Sequence, residues 1–197
     1  MPTGIAIRDP RQQLFGAAER ILLRDGPNAL TSRAVTAEAG VAKGVLHRHF
    51  ADFDAFLAEL VLDRVAKVED QSAALLGVAG TGTVTGNLAG ALTELFGSVA
   101  VAIVSLIIFR DDVRARLRQA GMTGVPILTQ ATTMIAGYLA AERDRGRLAA
   151  DTDTGPLAAA LIGAGHLLFA GRDSMPPAAA EVAKVVTTVT GSAAVKN

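Results

Sequence analysis

Residues 31 to 53, Thr-Ser-Arg-Ala-Val-Thr-Ala-Glu-Ala-Gly-Val-Ala-Lys-Gly-Val-Leu-His-Arg-His-Phe-Ala-Asp-Phe, constrain the fold more tightly than any other stretch of this chain. Thr31 is a good N-cap, because its hydroxyl can accept from a free N–H in a first helical turn. The helix that follows would bury Val35 and Ala39 before Gly40 turns the chain. Val41 and Leu46 would plug the space between this helix and the next, which starts at Ala42 or Lys43 and ends near Phe50. Asp52 is placed to cap a third. Two short helices joined by a glycine turn, apolar only where a small three-helix core needs it, follow the pattern of a helix-turn-helix.

The flanking sequence supports this element. From Gln12 to Asp25, Leu14, Phe15, Ala18, Ile21 and Leu22 form one stripe of an amphipathic helix, which Gly26-Pro27 ends. The helix after Asp52 extends to about Leu76, with Phe56, Leu57, Leu60, Val61, Val65 and Val68 as its buried stripe. A boundary at about Val68, inside that helix, divides a helix-turn-helix domain (1–68) from a larger helical domain (69–197).

Beyond the boundary the pattern is less sharp. Gly77 to Gly90 has weak helix order and reads as a hinge or irregular connection. Its Gly80, Gly82 and Gly86 do not make G-x-G-x-x-G and no Lys follows, so they carry no phosphate loop. Leu88 to Arg110 reads as one mostly buried helix, and Asp111 to Gln119 as a short charged one whose Arg114, Arg116 and Arg118 form a solvated face. Gly121-Met122-Thr123-Gly124 breaks the run before a helix from Val125 to Arg145. Asp151-Thr152-Asp153 supplies caps for a helix from about Pro156 to Ala170, and Met175-Pro176-Pro177 precedes a last one from about Ala178 to Thr190. These last two are short in charge and would expose apolar surface in a monomer, so they are expected to form a homodimer as a four-helix bundle.

Composition narrows the class. Half of the 197 residues are hydrophobic, only 4% are aromatic and there is no Trp, which favours closely packed helices over a sheet and makes an all-α fold the expectation. The net charge is zero, so any nucleic-acid surface must be local. The absence of Cys removes disulfides, thiolate metal sites and cysteine nucleophiles, and suits a reducing cytoplasm. Arg8, Asp9 and Arg11 interrupt the apolar core that a signal peptide would need. Leu95 to Phe109 is apolar, but its 15 residues at about 1.5 Å each cover about 22 Å, short of a hydrocarbon core of about 30 Å. A buried helix is expected there and no membrane partner.

The residues Leu30-Thr31, Ala39-Gly40-Val41, Lys43-Gly44, Leu46, His49-Phe50 and Asp52 resemble the DNA-binding region of TetR-family transcriptional regulators. That family joins such an N-terminal domain to a larger helical ligand-binding and dimerisation domain. The resemblance implies that Thr31 and Arg33 approach DNA and that Ala42, Lys43, Gly44, Val45, His47, Arg48 and His49 form the recognition helix and its contacts. Val45 stands where the family often has Thr, His47 where it usually has Tyr, Phe53 where it often has Lys, and Ala42 replaces a Ser-type cap. Each departure removes or weakens a phosphate contact or a cap.

Phe96, Phe109, Met134, Tyr138, His166 and Phe169 are the candidates for lining an effector cavity, with Met122, Thr129 and Thr133 nearby in sequence. His47 and His49 cannot share a metal, because residues two apart on a helix point about 200° away from one another. No G-x-S-x-G, H-E-x-x-H or phosphate loop is present, so no catalytic residue, metal site or cofactor is assigned. The expected function is a homodimeric, ligand-responsive transcriptional regulator, a repressor that binds a double-stranded, pseudo-palindromic operator and is released by a small-molecule effector. The alternatives are a helical small-molecule-binding protein or enzyme with a degenerate helix-turn-helix, and a membrane-associated helical protein.

Overall fold

The computed structural model describes residues 9–171 and 176–191; Arg8 and Met175, on which two of the expectations above partly rest, lie outside them. The described residues form helices and connecting turns with no β-strand. Helix α1 (Pro10–Asp25) is capped by Asp9, whose carboxylate accepts from the backbone N–H groups of Arg11 and Gln12 at 3.0 and 3.1 Å. A single 3-10 turn, Pro27–Ala29, leads to α2 (Ser32–Glu38), where the Thr31 hydroxyl accepts from Ala34 N–H at 3.1 Å. Gly40, at φ 66°, then takes the left-handed turn that a side chain would strain. Helix α3 (Gly44–His49) and helix α4 (Phe53–Gly77) follow, the latter capped by Asp52 through Ala55 N–H at 2.7 Å.

Four phenylalanines hold this head together. Phe15, Phe50 and Phe56 meet with ring centroids 5.1 to 5.8 Å apart, and Phe53 stacks on Phe56 at 5.6 Å. Aromatic pairs of this geometry contribute about 0.5–1.5 kcal/mol each beyond the area they bury. Leu14, Leu30, Leu46 and Leu57 complete the core with no exposed surface.

The body comprises α5 (Val84–Phe96), α6 (Ala100–Phe109), α7 (Asp111–Gln119), α8 (Leu128–Asp144), α9 (Thr154–Ala170) and α10 (Ala179–Thr190). Helix α8 lies between α4 and α9, α10 packs on α5 and α9, and α7 packs on α4. Helix α4 is thus shared: its first turns belong to the phenylalanine core and its remainder is a wall of the body.

Three features depart from the sequence expectation. The expected helix Leu88 to Arg110 is two helices bent by 54°, because Ser98 Oγ bonds the Leu95 carbonyl at 2.5 Å and diverts the backbone from continued helix. The glycine-rich stretch is irregular only up to Gly82; the Thr83 hydroxyl caps Gly86 N–H at 3.0 Å and starts α5 at Val84. Helix α8 starts at Leu128 rather than Val125, after Ile127 at φ 72°, a strained conformation for a β-branched residue. No single helix among the described residues is long and apolar enough to cross a membrane.

Candidate nucleic-acid interface and effector cavities

Thr31, Arg33, Ala42, Lys43, Gly44, His47 and Arg48 are all exposed, on α2, α3 and the turn between them. Leu46 and Phe50 anchor α3 from the other side. Val45 and His49 are half-buried; Val45 packs against the core, and the His49 carbonyl accepts from Arg11 Nη1 at 3.3 Å. The cap position of α3 falls on Lys43, one residue after Ala42, and no side chain caps this helix.

The ionic partners within the head are uneven. Arg11 pairs with Glu59, Arg20 and Arg24 with Glu38 at 2.8 and 3.1 Å, Arg64 with Glu19 at 2.9 Å, and Lys67 with Asp63 at 2.9 Å. Hydrogen bonds from Arg20 and Arg24 hold the Glu38 carboxyl below the usual carboxylate range. The side chains of Arg33, Lys43 and Arg48 make no hydrogen bond or ion pair with any described residue. Arg33 in the first turn of α2, Lys43 at the start of α3 and Arg48 in its last turn, all unpaired among the described residues, suit a polyanion, whose phosphates they can meet without first breaking a protein contact.

A polar joint ties this head to the body. Arg116 Nη2 lies 2.6 Å from Asp52 Oδ2, while Asp52 Oδ1 caps α4. Arg110 lies 3.3 Å from Asp54 and stands over the Phe53 ring, its guanidinium carbon 5.7 Å from the centroid. Arg116 therefore does not belong to a solvated face, and Phe53 is engaged in packing. Neither role has a local signal, since the partners are 56 and 64 residues apart in sequence.

Of the six candidate effector residues, the structure brings three together. Phe96 on α5 meets the edge of His166 on α9 at 5.8 Å and lies 5.9 Å from Phe169. Burial lowers the His166 pKa, and its Nε2 has no hydrogen-bond partner. Met134 lines a cavity of about 280 Å³ with Gln71, Asn87 and Glu94 among its neighbours. Tyr138 is buried on α8, its hydroxyl accepting from Asn87 Nδ2 at 2.9 Å. Phe109 is 83% exposed at the end of α6 and does not join the others. The 54° bend between α5 and α6 separates it from Phe96.

The body also encloses a carboxylate that the sequence reading missed. Glu142 is fully buried; its Oε1 accepts from Gly80 N–H at 3.1 Å and its Oε2 stands 3.2 Å from Arg147 Nε. Arg147 also donates to the carbonyls of Thr81 and Gly82, at 3.3 and 2.7 Å. Burial, then the neighbouring Glu142, pushes the Tyr138 phenol up to about 12. The glycine turn is thereby fastened to α8, and a pair four residues apart on one helical face, such as Tyr138 and Glu142, is the signal that could have revealed it.

Residues 14–60 match the family model described as bacterial regulatory proteins, tetR family. The whole fold is shared with a TetR-family transcriptional regulator from Agrobacterium tumefaciens (TM-score 0.70, 13% identity, 94% of this chain and 98% of that one). It is shared as well with a putative transcriptional regulator from Saccharomonospora viridis in complex with choline (0.68, 16%, 95% and 98%). A third is the regulator FadR from Bacillus subtilis in complex with stearoyl-CoA (0.66, 17%, 90% and 96%). No curated protein matches by sequence. These findings define an all-helical fold with an N-terminal helix-turn-helix. Residues 14–60 carry the likeness to the tetR family of bacterial regulatory proteins, and the chain as a whole has the fold seen in a TetR-family transcriptional regulator.

Proposed function

We propose that the protein is a cytoplasmic, homodimeric repressor that binds a pseudo-palindromic operator through α2 and α3 and is released by a small-molecule effector bound in the body. The observation that carries this reading is the set of exposed cations Arg33, Lys43 and Arg48, unpaired among the described residues of a head whose other described cations, Arg11, Arg20, Arg24, Arg64 and Lys67, are paired. Lys43 and Arg48 would share base and phosphate contacts in the major groove, with Arg33, Thr31 and the N-terminus of α3 on the backbone. A dimer would present two such helices about 34 Å apart.

Ala159, Ala160, Gly163, Leu167 and Ala170 form an exposed stripe along α9, with Leu167 74% exposed, which supports pairing of α9 and α10 with a second copy. An effector that favours one separation of the heads would change operator affinity by linkage. We place the division between the two functional units near Val68 in α4, and the Arg116–Asp52 and Arg110–Asp54 pairs would carry the change across it. Choline and stearoyl-CoA in two relatives of the same fold support an effector site without specifying its chemistry here.

Selection from a random duplex pool, followed by band shifts at moderate salt, tests the reading. The expected result is enrichment of an inverted repeat bound by a dimer. Binding without sequence preference would instead favour a helical small-molecule binder with a degenerate head, the reading that the half-buried Val45 and the packed Phe53 support.

A further inference from the structure

The larger body cavity, about 460 Å³, has a lining of mixed character. Ile107, Leu117, Met122 and Pro126 are apolar, and Arg114 and Arg118 are cationic. Residues four apart share a helix face, so Arg114 and Arg118 turn together toward the cavity while Arg116 turns away to Asp52. Arg114 is fixed in place: it donates to the carbonyls of Ile107 and Ile108 and pairs with Asp111. The Arg118 side chain makes no hydrogen bond or ion pair with a described residue. Two guanidiniums against one carboxylate leave the site positive beside an apolar wall. The turn that completes it holds Gly124 at φ 63° and the buried Ile127 at φ 72°, whose N–H is met by Gln130 Oε1 at 2.8 Å. Strained residues of this kind cluster at ligand-binding and switch segments.

We propose that this cavity takes a small amphiphile with an anionic head, of the alkyl carboxylate class. The carboxylate meets Arg118, with Arg114 as the second charge, and the chain lies along Ile107, Leu117, Met122 and Pro126. The volume falls within the usual range of about 300–1,000 Å³ for small-molecule sites. This inference rests on the effector reading above and gives that effector a chemical class. Its route to the head is short, because α7 carries both Arg118 and the Arg116 that holds Asp52 at the start of α4.

The test is calorimetric titration of the full chain with decanoate, below its micellar concentration, beside decyltrimethylammonium and 1-decanol. Decanoate should bind, decanol at least about tenfold more weakly, and the cation not at all, as a charge-assisted hydrogen bond requires. Arg118→Gln should lower decanoate affinity at least about tenfold and leave decanol unchanged, and Arg118→Lys should retain part of the preference. Arg118 is exposed, so neither variant removes core packing. No decanoate binding, equal affinity for the three head groups, or an Arg118→Gln protein that binds decanoate as well as the native chain would overturn the inference. A charge-selective decanoate site with no change in operator affinity would uphold it and overturn the effector reading instead. An operator complex released by other compounds, without a decanoate site, would overturn this inference alone.

Discussion

In the head the charged side chains on the flanks are neutralised locally while those on one face are left open; in the body three ionic groups, Glu142, Arg110 and Arg116, instead tie segments distant in sequence together. Arg20 and Arg24 share Glu38 and Arg64 holds Glu19, yet Arg33, Lys43 and Arg48 are without partners among the described residues. In the body, Glu142 is fully buried, and Arg110 and Arg116 reach across to Asp54 and Asp52. The contrast separates two uses of charge. Surface cations held open are available to an external polyanion at no cost in broken contacts, whereas buried and bridging ions fix one arrangement of helices.

The contrast is open to direct attack. The largest effect is expected from Phe56→Ala, which removes the ring at the centre of the aromatic core and should cost about 3–5 kcal/mol. Tyr138, the one tyrosine of a chain without Trp, reports on the body alone, so its fluorescence transition should shift less than the far-ultraviolet dichroism transition. Identical shifts would mean that α4 welds the two regions into one cooperative unit.

Glu142→Gln should cost about 1–3 kcal/mol, because it removes the charge that Arg147 and the Gly80 N–H meet away from solvent. Urea denaturation measures this, and a cost near zero would show that the buried pair contributes nothing to the body. At the joint, Asp52→Ala should cost about 1 kcal/mol through loss of the α4 cap, whereas Asp52→Asn keeps a capping oxygen. Arg116→Ala, a partly exposed pair, should cost under about 1 kcal/mol. Arg116→Ala and Asp52→Asn should nevertheless both blunt the effector-induced change in operator affinity; a full response in both would remove the joint from the coupling route.

A separate effect is one of pH. The folded-state pKa of Tyr138, about 12, lies above the ordinary value of 10.0, so the unfolded chain loses this proton first. The stabilisation is fully present below pH 10 and is lost as pH rises toward 12. The denaturation midpoint should fall through that window and do so less in Tyr138→Phe.

The head was far more legible in the sequence than the body. Thr31 and Asp52 cap through bonds three residues long, Gly40 needs only its own φ, and the stripe from Phe56 to Val68 repeats at helical spacing, so each is encoded within one turn. The bend at Ser98 rests on one hydroxyl in an apolar run, and periodicity cannot reveal it. The Glu142 network, the Arg116–Asp52 pair and the cavity beside Arg118 depend on residues brought together by tertiary packing. Residue type alone points to six effector candidates, and it carries no information on direction: Phe109, at the end of α6, faces outward. Arg114, Arg116 and Arg118 read as one charged face, yet a helix sends alternate residues to opposite sides.

The central claim, that Arg33, Lys43 and Arg48 are held open for DNA, is most directly tested by the salt dependence of operator binding. Operator affinity should fall linearly on a double-logarithmic salt plot for the native chain, and Arg48→Ala should weaken every site and reduce the slope by about 1. Lys43→Ala should in addition flatten discrimination between operator variants. Slopes unchanged in Arg48→Ala and in Lys43→Ala alike would contradict the account, since neither cation would then meet the nucleic acid.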